Sequence, residues 1–311
     1  MPRDANMTET ILNGPKIAPA VSIVIPTYNH AEFLTGALQS VINQSFVDWE
    51  AIIINNYSTD NTEEIVKNFN EPRFRLVHFQ NNGVIAASRN HGIQLADSSV
   101  IAFLDSDDVW YPNKLSRCLS EFNNGADLVC HGENWVTEGL SPRAIYYGPT
   151  DRATHAKLLL RGNCVSTSAT LVRKNMLDKT NGFSENPLFI TAEDYELWMN
   201  LSLNTSKFVF VHELLGEYRR HENGASTSVN RHLSAELAVI EHHARLEPTA
   251  KNLRIRVRHR RAKAFYSAGR TQMRAGNRSS AISFFSRALV QSPFFFRIYV
   301  AMVLTMFKRG A

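Results

Sequence analysis

Along the first hundred residues, compact apolar runs alternate with stretches in which apolar residues return every three or four positions. The runs at 21–25, 51–54, 74–78 and 100–104 are mostly aliphatic or β-branched and too short for helices, so they read as strands. Between them, residues 32–44 set Phe33, Leu34, Ala37, Leu38, Val41 and Ile42 on one helical face. Residues 61–69 read as a second helix, opened by Asp60 or Asn61 as its cap, and 84–96 as a third. Pro26 has no N–H to give a ladder and is expected to stop the first strand. Apolar strands separated by amphipathic helices predict an α/β fold with a mostly parallel central sheet covered on both faces. Such sheets hold ligands beyond the carboxyl ends of their strands. The polar clusters 26–30, 55–60 and 105–108 all stand at those ends.

Composition alters this picture little. Of 311 residues, 44% are hydrophobic and 20% charged, as in an ordinary globular protein with a sizeable core. Residues 1–19 contain Pro2, Gly14, Pro15 and Pro19 without periodicity and read as a loose leader, not a secretory signal. No stretch offers the ~18–20 apolar residues of a spanning helix. Cys118, Cys130 and Cys164 lack metal or disulfide spacing and read as reduced thiols of a cytoplasmic protein. The net charge of +5 is unevenly divided. Residues 244–311 hold 15 Lys or Arg against one acid, Glu247, while 1–243 hold 19 basic and 28 acidic residues. An acidic, metal-using part with a basic tail accounts for the split; so does a helical tail with a solvated basic face.

Two acidic motifs carry candidate chemistry. Phe103-Leu104-Asp105-Ser106-Asp107-Asp108 puts three carboxylates within four residues at the end of a buried strand. They repel one another unless a cation lies among them, and Mg²⁺ or Mn²⁺ takes carboxylate oxygens while sharing its other positions with phosphate. A solvated acidic turn would show the same composition. Glu193-Asp194 precedes the apolar positions Tyr195, Leu197 and Trp198. The pair is either favourable charge at a helix N-terminus or the source of a general base for a hydroxyl proton, with Asp194 the candidate.

Further segments belong with these: SIVIPTYN (22–29), NNYSTDNT (55–62), NNGVIAASRN (81–90), FLDSDDVW (103–110), NGF (181–183), AEDYELWMNL (192–201) and YRRHEN (218–223). Their order and spacing resemble glycosyltransferase family 2, with the GT-A nucleotide-sugar-binding fold, from about residue 21 to 228. The resemblance implies an inverting, single-displacement transfer from a nucleoside diphosphate sugar, assisted by Mn²⁺ or Mg²⁺. The acceptor would be a hydroxyl of a glycan or lipid-linked molecule, in surface polysaccharide synthesis. It would set Pro26, Thr27 and Tyr28 in the nucleoside pocket, Asp105 near the ribose, and Arg89 near the base or diphosphate. Asp107 would be the main metal ligand and Asp194 the base, supported by Glu193. His221 would be a late metal or phosphate ligand, or simply an exposed loop histidine. The family usually carries an Asp-Asp-Gly or Asp-Asn sequence after the second strand, where this chain has Asn55-Asn56-Tyr57. The Asn56 carbonyl can still accept from a pyrimidine imide, but as a neutral acceptor. UDP or dTDP remains the favoured donor nucleotide. Residues 163–172 resemble the acceptor side; Tyr195 and Trp198 either stack on a sugar or pack in the core.

The implied organisation is a leader at 1–19, a catalytic domain at 20–228 and a basic helical extension at 229–311. Within the extension, Gly269, Gly276, Ala281, Phe285, Ala288 and Pro293 fall at the offsets of one tetratricopeptide unit; a plain helical hairpin fits as well. The apolar segment 294–307 beside the arginine-rich stretch 254–263 suggests peripheral contact with an anionic membrane, or packing on the hairpin. Stacking aromatics are not interleaved with these arginines, which argues against nucleic acid. Two other classes of function compete. A nucleotidyltransferase would show a Gly-rich basic loop after the first strand, which PTYNHAEF lacks. A non-catalytic scaffold would be free to lose the carboxylates. Oligomeric state is not legible.

Overall fold

The computed structural model describes residues 18–221, 228–246 and 252–307, so most of the leader, Glu222, Asn223 and Lys308-Arg309 lie outside it. In the first half, β1 (Val21–Thr27), β2 (Trp49–Asn55), β3 (Phe74–His78) and β4 (Val100–Phe103) alternate with α1 (Ala31–Ile42), α2 (Thr62–Asn68) and α3 (Ile85–Leu95). The helix openings follow sequence: Asp60 accepts from the Thr62 N–H at 3.1 Å and its hydroxyl at 2.6 Å, and from the Ala31 N–H at 2.9 Å. One boundary differs from expectation. β1 runs through Pro26, paired with Ile54. Val24 C=O accepts from Leu104 N–H, so the alternate position Pro26 turns its nitrogen to the β4 side, where the β1–β4 ladder has already ended. The missing donor costs nothing there.

The second half adds β5 (Val109–Trp110), α4 (Lys114–Asn123), β6 (Leu128–Thr137), β7 (Arg143–Ile145), α5 (His155–Arg161), β8 (Thr170–Arg173), α6 (Lys174–Thr180), α7 (Glu193–Asn204) and β9 (Phe208–Arg220). Among the described residues the strands form one sheet in the order β3-β2-β1-β4-β8-β6-β9-β5, with β7 on β6. β1 to β4 are parallel; β8 then runs antiparallel between β4 and β6. Alternate residues feed two cores. Val21, Ile23, Ile25, Ala51 and Ile53 face α1 and α4, while Val24, Ile52, Ile54, Ile101 and Phe103 face α3 and the α5–α7 side. That two-sided burial is why these strands are apolar at most positions.

The extension comprises α8 (Val229–Leu246), α9 (Leu253–Arg274), α10 (Arg278–Gln291) and α11 (Arg297–Phe307). α8 serves two cores: Ala235, Val239 and Ile240 pack with the sheet, Leu233 with the helical hairpin. α9 and α10 meet where a Cβ on Gly269 would stand 2.5 Å from the Phe285 ring, so only glycine allows this approach. α11 lays Ile298 and Ala301 into the same core. Among the described residues no helix is long and apolar enough to cross a membrane. All three cysteines are buried free thiols.

Candidate active site

A cleft of about 1080 Å³ opens past the carboxyl ends of β1 and β4, walled on its far side by α7, β9 and α8. It brings together Pro26, Arg89, Asp105, Asp107, Glu193, Asp194 and His221, which span nearly two hundred residues of sequence. Thr27, Tyr28 and Asn56 are not on its wall. Thr27 is buried in β1, Tyr28 is exposed, and the Asn56 carbonyl oxygen accepts the Asn81 N–H at 2.9 Å. The asparagine proposed to meet a base thus braces the loop before α3.

The three carboxylates after β4 divide their work. Asp107 Oδ2 lies 2.8 Å from His221 Nε2, joining the turn after β4 to the end of β9. Phe33 stacks against that imidazole, its ring centre 4.5 Å away. Asp105 accepts from Arg89 at 2.6 Å. Asp108 is turned inward, where its Oδ1 accepts the Arg219 N–H at 2.9 Å. Burial first, then Asp107, Glu133 and Asp105, push its pKa well up. The third acid of the motif therefore braces the site from below. Asp107 and His221 offer an oxygen and a nitrogen side by side on the cleft wall, with Asp105 on the same turn. This donor set suits Mn²⁺ or Mg²⁺.

Arg89 departs most from expectation. In place of reaching for a base or diphosphate, its guanidinium is buried, 4% exposed, and divided between Asp105 and Glu193 Oε1 at 2.9 Å. One cation neutralises an acid from each side of the cleft. Glu193 is completed by the Thr191 N–H at 2.8 Å. Thr191 holds φ at +82°, a strained conformation for a β-branched residue, and its carbonyl meets His232 Nδ1 at 2.9 Å. With both oxygens engaged, Glu193 is a support.

Asp194, half-buried at the start of α7, lines the cleft. Oδ1 accepts its neighbour's N–H from Tyr195 at 2.7 Å, and Oδ2 accepts from Asn163 Nδ2 at 3.2 Å. Burial, and secondarily the Glu193 carboxylate, raise its pKa to about 6. Such a group is ionised at neutral pH yet more basic than a surface aspartate, as proton abstraction requires.

Sequence reasoning missed the cleft floor. Trp135 Nε1 donates to the Tyr147 hydroxyl at 3.2 Å, which donates to Glu133 at 2.7 Å. Glu133 is buried, and burial lifts its pKa to about 7. Lys114 lies beside it, donating to the Ser168 carbonyl at 3.0 Å over the Trp110 ring; burial pushes its pKa down. Nothing in LVCHGENWVT marks Glu133 as inward, because its strand mixes polar and apolar residues irregularly. Trp198 is fully buried in the core. Tyr195 is also buried, with its hydroxyl on the Leu158 carbonyl at 2.7 Å, although it borders the cleft.

A sheet of this order with paired carboxylate sites at its switch point defines a GT-A glycosyltransferase. Residues 22–178 match the family model described as "Glycosyl transferase family 2", and the chain belongs to that family. It is 30% identical over 223 residues to the Escherichia coli UDP-Glc:alpha-D-GlcNAc-diphosphoundecaprenol beta-1,3-glucosyltransferase WfgD, an alignment covering 71% of this chain and 85% of that protein. Among solved structures, S. aureus TarS 1-349 in complex with UDP-GlcNAc superposes with a TM-score of 0.64 at 16% identity, covering 92% of this chain and 88% of that one. The mannosyltransferase PcManGT from Pyrobaculum calidifontis, in complex with GDP-Man and Mn2+, gives 0.59 at 14% identity, covering 95% and 89%. At these identities the structures establish the fold.

Proposed function

We propose that the protein is an inverting transferase that moves a sugar from a UDP- or dTDP-linked donor to a hydroxyl of a lipid-linked glycan in surface polysaccharide synthesis. The observation that carries this is the meeting of the Asp107–His221 pair and the Asp194–Asn163 pair in one cleft. The donor nucleotide class and lipid-linked acceptor draw support from WfgD, whose name specifies UDP-Glc and a diphosphoundecaprenol acceptor.

Asp107 and His221, with Asp105, would hold Mn²⁺ or Mg²⁺, which when bound supplies positive charge to the diphosphate. Pro26 closes the nucleoside end of the cleft. On the other side, Asp194 accepts the proton of the acceptor hydroxyl as that oxygen bonds to the sugar's anomeric carbon. The bond from that carbon to the phosphate oxygen breaks on the opposite face, inverting the centre, and the nucleoside diphosphate takes the electron pair. Asn163 orients Asp194 Oδ2 by its amide, and Arg89 holds Glu193 and Asp105 in place without being consumed.

The test is a panel of UDP-, dTDP- and GDP-sugars with Mn²⁺, read by the released nucleotide. Release of nucleoside diphosphate, dependent on metal and increased by a polyprenyl-diphosphate sugar, is expected for UDP or dTDP donors. Pyrophosphate as the product would identify a nucleotidyltransferase and overturn the proposal; donor binding with no release would favour a scaffold.

A further inference from the structure

α11 has its polarity inverted. Thr305 is 1% exposed and donates to the Ala301 carbonyl at 2.7 Å. Leu304 beside it is 52% exposed, and Val300, Val303 and Met306 also face outward, with Tyr299 turning its hydroxyl back to the Pro293 carbonyl. The corner leading into the helix adds Phe294 at 84% exposed and Phe296 at 74%. A helix that folds for its own core buries its aliphatics and leaves threonine in water.

Cations frame this apolar face. Arg297 opens α11, and Arg258 donates to the Val290 carbonyl at 2.9 Å, setting the arginine-rich start of α9 beside the α10–α11 corner. Lys263 stands among Arg260, Arg161, Arg152 and Arg297, close enough for them to disfavour its charge after burial. Between residues 253 and 307 there is no Asp or Glu. A second copy would set this basic face against its like, and an ordinary protein groove would leave Arg297 without an acid. An eleven-residue helix, ~16 Å long, is also too short to cross a bilayer.

We propose that α11 and the Phe294–Phe296 corner lie in the surface of an anionic bilayer, apolar face down, with Arg258, Lys263 and Arg297 on the headgroups. The basic group continues to Arg161, two residues before Asn163 on the cleft wall, so docking presents the acceptor side of the cleft to the lipid surface. That last clause rests on the transferase reading; the docking does not.

The experiment is co-sedimentation of the full chain with phosphatidylcholine vesicles, with and without phosphatidylglycerol. Wild type is expected to bind only the anionic vesicles, and less as salt rises. Leu304→Asp with Phe296→Ser should weaken binding by about tenfold or more. Arg258→Gln and Arg297→Gln should each cost about fivefold. Each variant should retain the wild-type melting profile and nucleotide release with a water-soluble acceptor. Failure of wild type to bind anionic vesicles at low salt overturns the proposal. So does equal binding by the variants, or a wild-type dimer that Leu304→Asp dissociates. Binding without any sugar transfer would sink the transferase reading alone.

Discussion

The cleft and α11 break the same rule in opposite directions. Beneath the cleft, ionisable groups go inside: Asp108, Lys114 and Glu133 are buried among aliphatic strands. On α11 the aliphatics go outside while a threonine is covered. Elsewhere the sheet obeys the rule strictly, as β1 and β2 show at nearly every position. Folding stability explains neither departure, since burying ionisable groups and exposing large apolar side chains both cost free energy. Both departures fit the proposals made above: a charged substrate at the cleft, an apolar medium at α11.

The contrast can be tested by substitution, starting where the effect is greatest. Asp194→Asn should lower kcat by about 10²–10⁴ while leaving donor affinity intact, measured by steady-state kinetics and donor titration. In wild type, kcat/KM should be level above the raised pKa of about 6 and fall about tenfold per pH unit below it, because only the ionised carboxylate can take a proton. A profile without that limb would remove Asp194 as base. Arg89→Met should destabilise the fold by about 3–5 kcal/mol in urea denaturation, since Glu193 then keeps a buried charge without its partner. Asp107→Ala should cost about 10²–10³ in kcat/KM and abolish any Mn²⁺ dependence of donor binding, with little change in melting temperature. In the extension, Gly269→Ala should destabilise by about 1–3 kcal/mol, read as faster hydrogen exchange in α9 and α10, because the new methyl meets the Phe285 ring.

Much of the first half was legible because its strands are predominantly apolar and its helices keep a steady period. β3 falls on the expected residues, and β1 overruns only through the geometry at Pro26. The far side was harder. β6 carries His131, Glu133 and Asn134 within one strand, so neither alternation nor an apolar run shows. The site residues came together where motif and fold agreed, as for Asp107, His221 and Asp194. Arg89 was read as a ligand contact because sequence shows its charge but not its two distant partners. Glu133 and Tyr147 were invisible for a related reason: their meaning depends on a hydroxyl fourteen positions away reaching back across a hairpin.

Gly162 gives the extension a wider significance. Its backbone, at φ +95°, lies where any side chain would press on Arg260 of α9, whose guanidinium passes beneath the loop to Glu236. The next residue, Asn163, steadies Asp194. An enzyme trimmed to the stretch that matches its family would lose α7 as well as the α8 wall and the arginine underpinning that loop. With Asp194 as the proposed base, the smallest working piece of this protein is set by what supports that residue, and it reaches well into helices beyond the family match.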